Sequence, residues 1–141
     1  MSDKPELINL VNIFFEYARQ GNFAELAAMM TADIVIIESD SLPFAGRYTG
    51  KKALQNLYTK IMPMLKISEV RQSNLMLGET AVCCEVELHT KDSEEVIEMM
   101  EMYVFRGDKL SMIKPFYFSH DQVHAISKAN TAENKQPEIN T

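Results

Sequence analysis

Four β-rich segments follow one another through the second half of the chain with only short turns between them. They cover residues 68–77, 80–91, 96–106 and 109–118, and the turns between them contain Gly, Asp or Ser. Because no stretch between these segments is long enough for a crossover helix, neighbouring strands have to run antiparallel. This half of the chain therefore predicts an antiparallel meander.

The first half of the chain has a helical pattern instead. Two helices are predicted before the β-branched run 34–37, which indicates a strand that ends at Glu38. A long loop over 39–50 then leads to a third helix over 51–61, which is expected to stop near Pro63. Helices first and consecutive strands afterwards are typical of an α+β fold, with three N-terminal helices packed on a curved antiparallel sheet.

Length and charge bound the organisation of the chain and its partners. A chain of 141 residues with 46% apolar residues fits one domain with a packed core, which we expect over residues 1–125, followed by a polar tail over 126–141. The net charge of −6, without any Lys/Arg run, argues against nucleic acid and anionic membranes as partners. No secretory signal pattern and no apolar run of ~20 residues is present, so we expect a cytoplasmic protein.

The third β-rich segment carries a charge where its alternation predicts an apolar residue. Met99, Glu101 and Tyr103 share one face of this strand. A carboxylate on an apolar face is costly unless it is paired, protonated or next to a water-filled cavity. Either Glu101 projects into a ligand pocket, where desolvation raises its pKa, or this face meets solvent and the opposite face, which Glu98 interrupts, is the core face.

Glu38 and Tyr58 are candidates for the same pocket. Glu38 ends an apolar strand just before a loop, a common location for site residues, although a strand-end carboxylate in water is the alternative. Tyr58 lies on the apolar face of the third helix, where its hydroxyl either reaches the pocket or is satisfied within the core. Two carboxylates in one apolar cavity can divide proton transfer between an ionised base and a neutral donor. The predicted pocket-lining residues are Phe14, Tyr17, Met30, Ile61, Met99, Tyr103 and Phe116.

Other kinds of site lack their sequence patterns. His120 and His124 would share a helix face, but a zinc site needs a third ligand, so we predict no metal. A Gly-rich phosphate loop, a nucleophile elbow and a Cys-x-x-Cys pair are all missing from the sequence. Cys83 and Cys84 point to opposite faces of a strand and have no evident activating base. We therefore expect neither a cofactor nor nucleophilic catalysis.

Several motifs, in their order and spacing, resemble the nuclear transport factor 2-like superfamily, particularly its ketosteroid isomerase and SnoaL-like polyketide cyclase branches. They are FEYARQGNF at residues 15–23, MMTAD at 29–33, GRYTG at 46–50 and YVFRGDKL at 103–110. The resemblance spans residues 7–118. It implies a cone-shaped α+β barrel around an apolar pocket, and a homodimer that packs through the sheet.

The resemblance also implies roles for individual residues. In the isomerases an acidic residue at the end of the first strand moves the substrate proton, while a tyrosine and a protonated acid donate hydrogen bonds to the developing oxyanion. Glu38 matches the first acid and Glu101 the protonated acid, although both are glutamates where the isomerases use aspartates. Phe14 stands at the position of the principal tyrosine and has no hydroxyl. Tyr58 matches a supporting tyrosine.

The residues leave two functions open. One is a cofactor-independent isomerase, cyclase or related lyase that acts on an apolar carbonyl compound, with Glu38 as the base, Glu101 as a protonated donor and Tyr58 as an auxiliary donor. The other is a noncatalytic module that binds a ligand or a partner chain, which the missing hydroxyl at Phe14 favours. An apolar small molecule and a second copy of the chain are the expected partners.

Overall fold

The computed structural model describes residues 3–135 and has an α+β architecture. Four helices and six strands occur in this part of the chain, in the order α1 Asp3–Gln20, α2 Phe23–Ala28, β1 Met30–Glu38, β2 Gly46–Thr49, α3 Ala53–Leu65, β3 Ile67–Leu77, β4 Ala81–Thr90, β5 Val96–Arg106, β6 Lys109–Tyr117 and α4 His120–Lys135. None of these helices is long and apolar enough to span a bilayer. The predicted fold class is confirmed.

The strands form a six-stranded sheet in the order β2-β1-β6-β5-β4-β3. The long strands β3 to β6 make the antiparallel meander that their short turns predict. The sheet is not wholly antiparallel, however, because β1 lies parallel to β6. Strand β2 comes from the segment predicted as a loop, and it extends the sheet by pairing with β1, where Glu38 faces Gly46 in the register. The pairings of β1 with β6 and with β2 could not be predicted from a short turn in the sequence, unlike those of the meander.

Helix α3 continues past the proline that is predicted to stop it. Its last residue is Leu65, so Pro63 lies inside the final turn. A proline there removes one backbone hydrogen bond near the helix end and does not have to break the helix. The helix stops at Lys66, which adopts the left-handed conformation and donates its backbone N–H to the Met62 carbonyl at 2.8 Å.

Helix α4 is a feature that the apolar periodicity of the sequence does not predict. It runs from His120 to Lys135 and crosses the boundary predicted at residue 125. Val123 is fully buried, and the Asn130 side chain donates a hydrogen bond to a backbone carbonyl of α3 at 2.7 Å. Tertiary contacts therefore support a helix whose own pattern is weak. The rest of the predicted tail, residues 136–141, lies outside the described residues.

The burial of side chains along β5 shows which face of the sheet the helices cover. Ile97, Met99 and Tyr103 are buried, whereas Glu98 is exposed. Glu101 shares the face of the buried residues, because side chains two apart on a strand point the same way. The interpretation in which this face meets solvent is therefore wrong, and Glu101 lies beneath the helices that cover the sheet.

Candidate functional site

A cavity of about 730 Å³ lies between the sheet and the helices α1 and α3. Much of its wall is apolar, with Phe14, Leu57 and Ile61 on the helices and Met99 and Ile113 on the strands. Pockets that hold a drug-sized organic molecule have volumes of roughly 300–1,000 Å³ and mostly apolar walls. The cavity therefore has the size and character of a small-molecule site.

The structure brings the three predicted catalytic residues to this one cavity. Glu38 reaches it from the end of β1, Glu101 from the middle of β5 and Tyr58 from α3. These side chains come from three elements that are distant in sequence. The predicted pocket-lining residues that also contribute to the wall are Phe14, Ile61, Met99 and Tyr103.

The other three predicted pocket-lining residues do not contribute to the cavity wall. On β6 it is Pro115 and Tyr117 that face the cavity, so Phe116 between them points to the opposite face, where it is 49% exposed. The prediction for Phe116 is wrong because it places the residue on the wrong side of the strand. Met30 is buried in the core at the start of β1, and Tyr17 is partly buried on α1, both away from the cavity wall.

Glu38 is a buried carboxyl group without a protein partner. It is only 2% exposed, and its Oε1 atom has no hydrogen-bond partner among the described residues. Burial, and to a lesser degree the charge of Glu101, raises the pKa of Glu38 to about 8. At neutral pH this group is mostly protonated, so its O–H can donate a hydrogen bond to a molecule in the cavity.

Glu101, unlike Oε1 of Glu38, accepts a hydrogen bond from another side chain in the described part of the chain. The Tyr103 hydroxyl donates a hydrogen bond to Glu101 Oε1. Burial raises the pKa of Glu101 to about 7, while the hydrogen bond from Tyr103 opposes that rise because it stabilises the carboxylate. The hydrogen bond from Tyr103 favours the ionised form of Glu101, whereas Glu38 Oε1 has no such donor among the described residues. This difference favours Glu101 as the base, the reverse of the roles implied by the resemblance, in which Glu38 is the base and Glu101 the protonated donor.

Tyr58 and Tyr117 also face the cavity, and both stay protonated. Burial raises the pKa of both hydroxyls, and the neighbouring glutamates raise it further, Glu101 for Tyr58 and chiefly Glu38 for Tyr117. Each hydroxyl can therefore donate a hydrogen bond at neutral pH. Tyr117 is a cavity residue that the sequence analysis missed. The alternation from Ile113 through Tyr117 on β6 is the signal that could have found it.

The loop after Glu38 is fixed by the two histidines of α4. His120 Nδ1 is hydrogen-bonded to the Ser41 hydroxyl, and His124 Nε2 to the Ser41 backbone carbonyl. Both histidines therefore position the loop that follows β1. Within residues 3–135, no group of three or more His, Cys, Asp or Glu side chains is arranged to hold a metal ion.

Comparison of the sequence with protein-family models and with curated proteins gives no match. Solved structures match over most of the chain. A nuclear transport factor 2-like protein from Burkholderia xenovorans is 21% identical, with a TM-score of 0.72 over 88% of this chain and 97% of its own. The chain has the nuclear transport factor 2-like fold. A Xanthomonas campestris protein with a cystatin-like fold reaches a TM-score of 0.74 at 14% identity, over 86% of this chain and 97% of its own.

Another solved structure that matches this chain is that of a candidate enzyme. It is a candidate polyketide cyclase from Sinorhizobium meliloti, 8% identical, with a TM-score of 0.64 over 76% of this chain and 93% of its own. At such identities the similarity is one of fold. The cavity of this nuclear transport factor 2-like chain is therefore the feature that bears on its function.

Proposed function

We propose that this protein binds an apolar carbonyl compound in the cavity and transfers a proton on it by general acid–base chemistry, as an isomerase or cyclase without a cofactor. The observation that carries the proposal is the pair of glutamates, Glu38 and Glu101, whose pKa values lie near neutrality in one largely apolar cavity. Perturbed acids in a cavity are typical of catalytic sites. A candidate polyketide cyclase has the same fold, in keeping with the proposal.

The environments of the two acids assign their roles. Ionised Glu101 accepts a proton from the carbon next to the carbonyl, and the C–H electron pair moves onto the carbonyl oxygen as an enolate. Protonated Glu38 donates a hydrogen bond to that oxygen and stabilises its charge. In D₂O the proton held by Glu101 exchanges with solvent, which reaches the open cavity. Glu101 then delivers a proton or a deuteron to the same carbon or to another carbon of a conjugated enolate. Tyr103 holds the Glu101 carboxylate, and Tyr58 is an auxiliary donor.

These roles determine how the rate depends on pH. The base has to be ionised, so the rate rises as the pH passes the pKa of Glu101 at about 7. The donor has to be protonated, so the rate falls above the pKa of Glu38 at about 8. The resulting profile is bell-shaped, and its two limbs report the apparent pKa values of the coupled pair.

Exchange of ketone protons for deuterium tests the proposal without knowledge of the natural substrate. A panel of apolar ketones in D₂O is incubated with the protein, and loss of the α-proton signal is followed by NMR. We expect exchange with at least one ketone to exceed the buffer rate and to follow the bell-shaped pH profile. Exchange at the buffer rate for every ketone that binds would contradict the catalytic role.

The noncatalytic alternative is favoured by one observation. Phe14 lines the cavity with a ring centroid 5.5 Å from that of Tyr103, and it supplies no hydroxyl at the position where the isomerases have their principal tyrosine. A binding module needs no such donor. Ligands that raise the melting temperature but undergo no exchange would support this second function.

We also propose that two copies of the chain pack through the outer face of the sheet. Met100 pairs with Phe116 across β5 and β6, and Met102 lies on the same face. Light scattering is expected to give the mass of a dimer, and Phe116→Glu to shift it towards the monomer because the substitution introduces a charge into this apolar face. Leu77→Glu, at the end of β3, is the control with a similarly exposed apolar residue. A monomeric wild type would rule out the dimer.

A further inference from the structure

The cavity opens to solvent between α1, α3 and β3, and its mouth differs chemically from its interior. The residues that line the cavity and are also exposed are Arg19, Gln55, Thr59, Met62, Ser68 and Glu69. All of these except Met62 have polar or charged side chains, whereas the deeper wall is apolar apart from the glutamate pair and the tyrosine hydroxyls. A molecule that fills the cavity and reaches the mouth therefore meets an apolar environment at one end and a polar one at the other.

Arg19 places a positive charge at this mouth. Its guanidinium donates a hydrogen bond from Nη1 to Glu16 at 3.4 Å and has further N–H donors. The side chains of both residues are exposed. The guanidinium lies 6.0 Å from the ring centroid of Phe15, which also lines the cavity. A guanidinium has five N–H donors, and an exposed ion pair of this kind contributes little stability. An incoming carboxylate can therefore bind Arg19 at little cost.

The negative charge at the mouth belongs to Glu69, whose carboxylate is paired with Arg71. Both carboxylate oxygens of Glu69 accept hydrogen bonds from Arg71, at 3.0 Å from Nε and 3.2 Å from Nη2. This bidentate pair holds the pKa of Glu69 below its ordinary value and neutralises much of its charge. Glu69 is thus a weaker obstacle to a bound anion than its position suggests. The charge of Arg19 also lowers the pKa of Glu69, to a smaller degree than Arg71 does, so a bound carboxylate competes with Glu69 and Glu16 for the guanidinium.

The interior adds a second requirement on the ligand. Glu38 is almost completely buried, and one of its oxygens has no partner in the described part of the chain. A buried polar atom without a hydrogen bond is costly, so a polar atom of the ligand at this depth would remove the cost. The cavity wall between Glu38 and Arg19 is mostly apolar, so the part of the ligand that connects its two polar ends should also be apolar.

We propose that the ligand is an oxo acid, an extension that rests on the proposed function of the cavity. Its ketone lies at the interior end, within reach of Glu38 and Glu101, and its carboxylate lies at the mouth, where the Arg19 guanidinium binds it. The planar fork of the guanidinium matches the two oxygens of a carboxylate. Arg19 is therefore a specificity-determining residue, and the reacting groups lie at the other end of the ligand.

A matched pair of probes tests this inference, 9-oxodecanoate and its neutral methyl ester. Affinity for each is measured by calorimetry at low ionic strength for the wild type, for Arg19→Gln and for the control Arg47→Gln, an exposed arginine outside the cavity wall. The wild type and Arg47→Gln are expected to bind the acid roughly fivefold more tightly than the ester, the upper range for an exposed ion pair. Arg19→Gln is expected to bind both equally, and 1 M salt to reduce the wild-type preference.

The outcomes separate this inference from the proposed catalysis. Equal binding of acid and ester by the wild type, or an acid preference that survives in Arg19→Gln, overturns the role of Arg19, and α-proton exchange on either probe would still support the catalysis. An acid preference that depends on Arg19 without any exchange supports the oxo acid as a ligand and counts against catalysis. Failure of both probes to bind overturns the inference.

Discussion

Replacing Glu101 by glutamine is expected to slow α-proton exchange by at least about a hundredfold, the lower range for loss of a general acid–base group. The amide cannot accept the proton, although it can still accept the hydrogen bond from Tyr103 and so keep the local geometry. The change should appear in the rate of exchange at saturating ketone, with ligand affinity nearly unchanged. NMR measurement of exchange for the wild type and the variant at pH 7.5 provides the comparison.

Two further variants test whether the effect is specific to the carboxylate of Glu101. Glu98→Gln removes a carboxylate from the opposite face of the same strand, outside the cavity wall, so its exchange rate should match that of the wild type. Glu38→Gln keeps a donor, the amide N–H, and should slow exchange less than Glu101→Gln. If Glu38→Gln had the larger effect, the roles implied by the family resemblance would be right and the roles assigned from the hydrogen bond of Tyr103 would be wrong.

Stability should fall as the pH rises, and Glu38→Gln should remove much of that fall. The folded-state pKa of Glu38 is about 8, above its ordinary value of 4.5. The folded state therefore holds this proton more tightly than the unfolded state does. Its contribution to the free energy of unfolding is fully present below about pH 4.5 and is lost as the pH rises through about 8. A shift of this size corresponds to at most roughly 5 kcal/mol.

Urea denaturation at pH 5 and pH 9 measures this effect. Between these values the wild type should lose a few kcal/mol more than Glu38→Gln, because the amide carries no charge at either pH. The same loss as in the wild type is expected for Glu79→Gln, since Glu79 is exposed in the turn between β3 and β4 and does not line the cavity. An equal pH dependence in the wild type and Glu38→Gln would show that Glu38 is not a buried acid with a raised pKa.

The sequence predicts those parts of the structure that depend on local signals. Short turns separate the strands β3 to β6, so their antiparallel pairing follows from the chain itself. The period of two along β5 identifies Glu101 as a charge on an apolar face, and the structure places it in the cavity wall. Alternation alone could not say which sheet face the helices cover.

The remaining features depend on contacts between distant parts of the chain. The parallel pairing of β1 with β6 joins the first strand to the last strand of the meander, and α4 depends on its packing against α3. The proposed order in which the two acids ionise could not be predicted from the sequence either. It depends on the hydroxyl of Tyr103, which lies two residues from Glu101 on the same face, and on the absence of a comparable donor to Glu38 Oε1 among the described residues.

The central claim is that Glu38 and Glu101 form a coupled pair of acids that ionise near neutral pH inside one cavity. Carbon-13 NMR of the glutamate side-chain carboxyls, assigned with Glu38→Gln and Glu101→Gln, measures this directly between pH 3 and pH 10. The account predicts two apparent pKa values near 7 and 8, with Glu101 the first to ionise. It also predicts that Glu101→Gln lowers the pKa of Glu38, because the charge of Glu101 contributes to raising it. Two independent titrations close to pH 4.5 would contradict it.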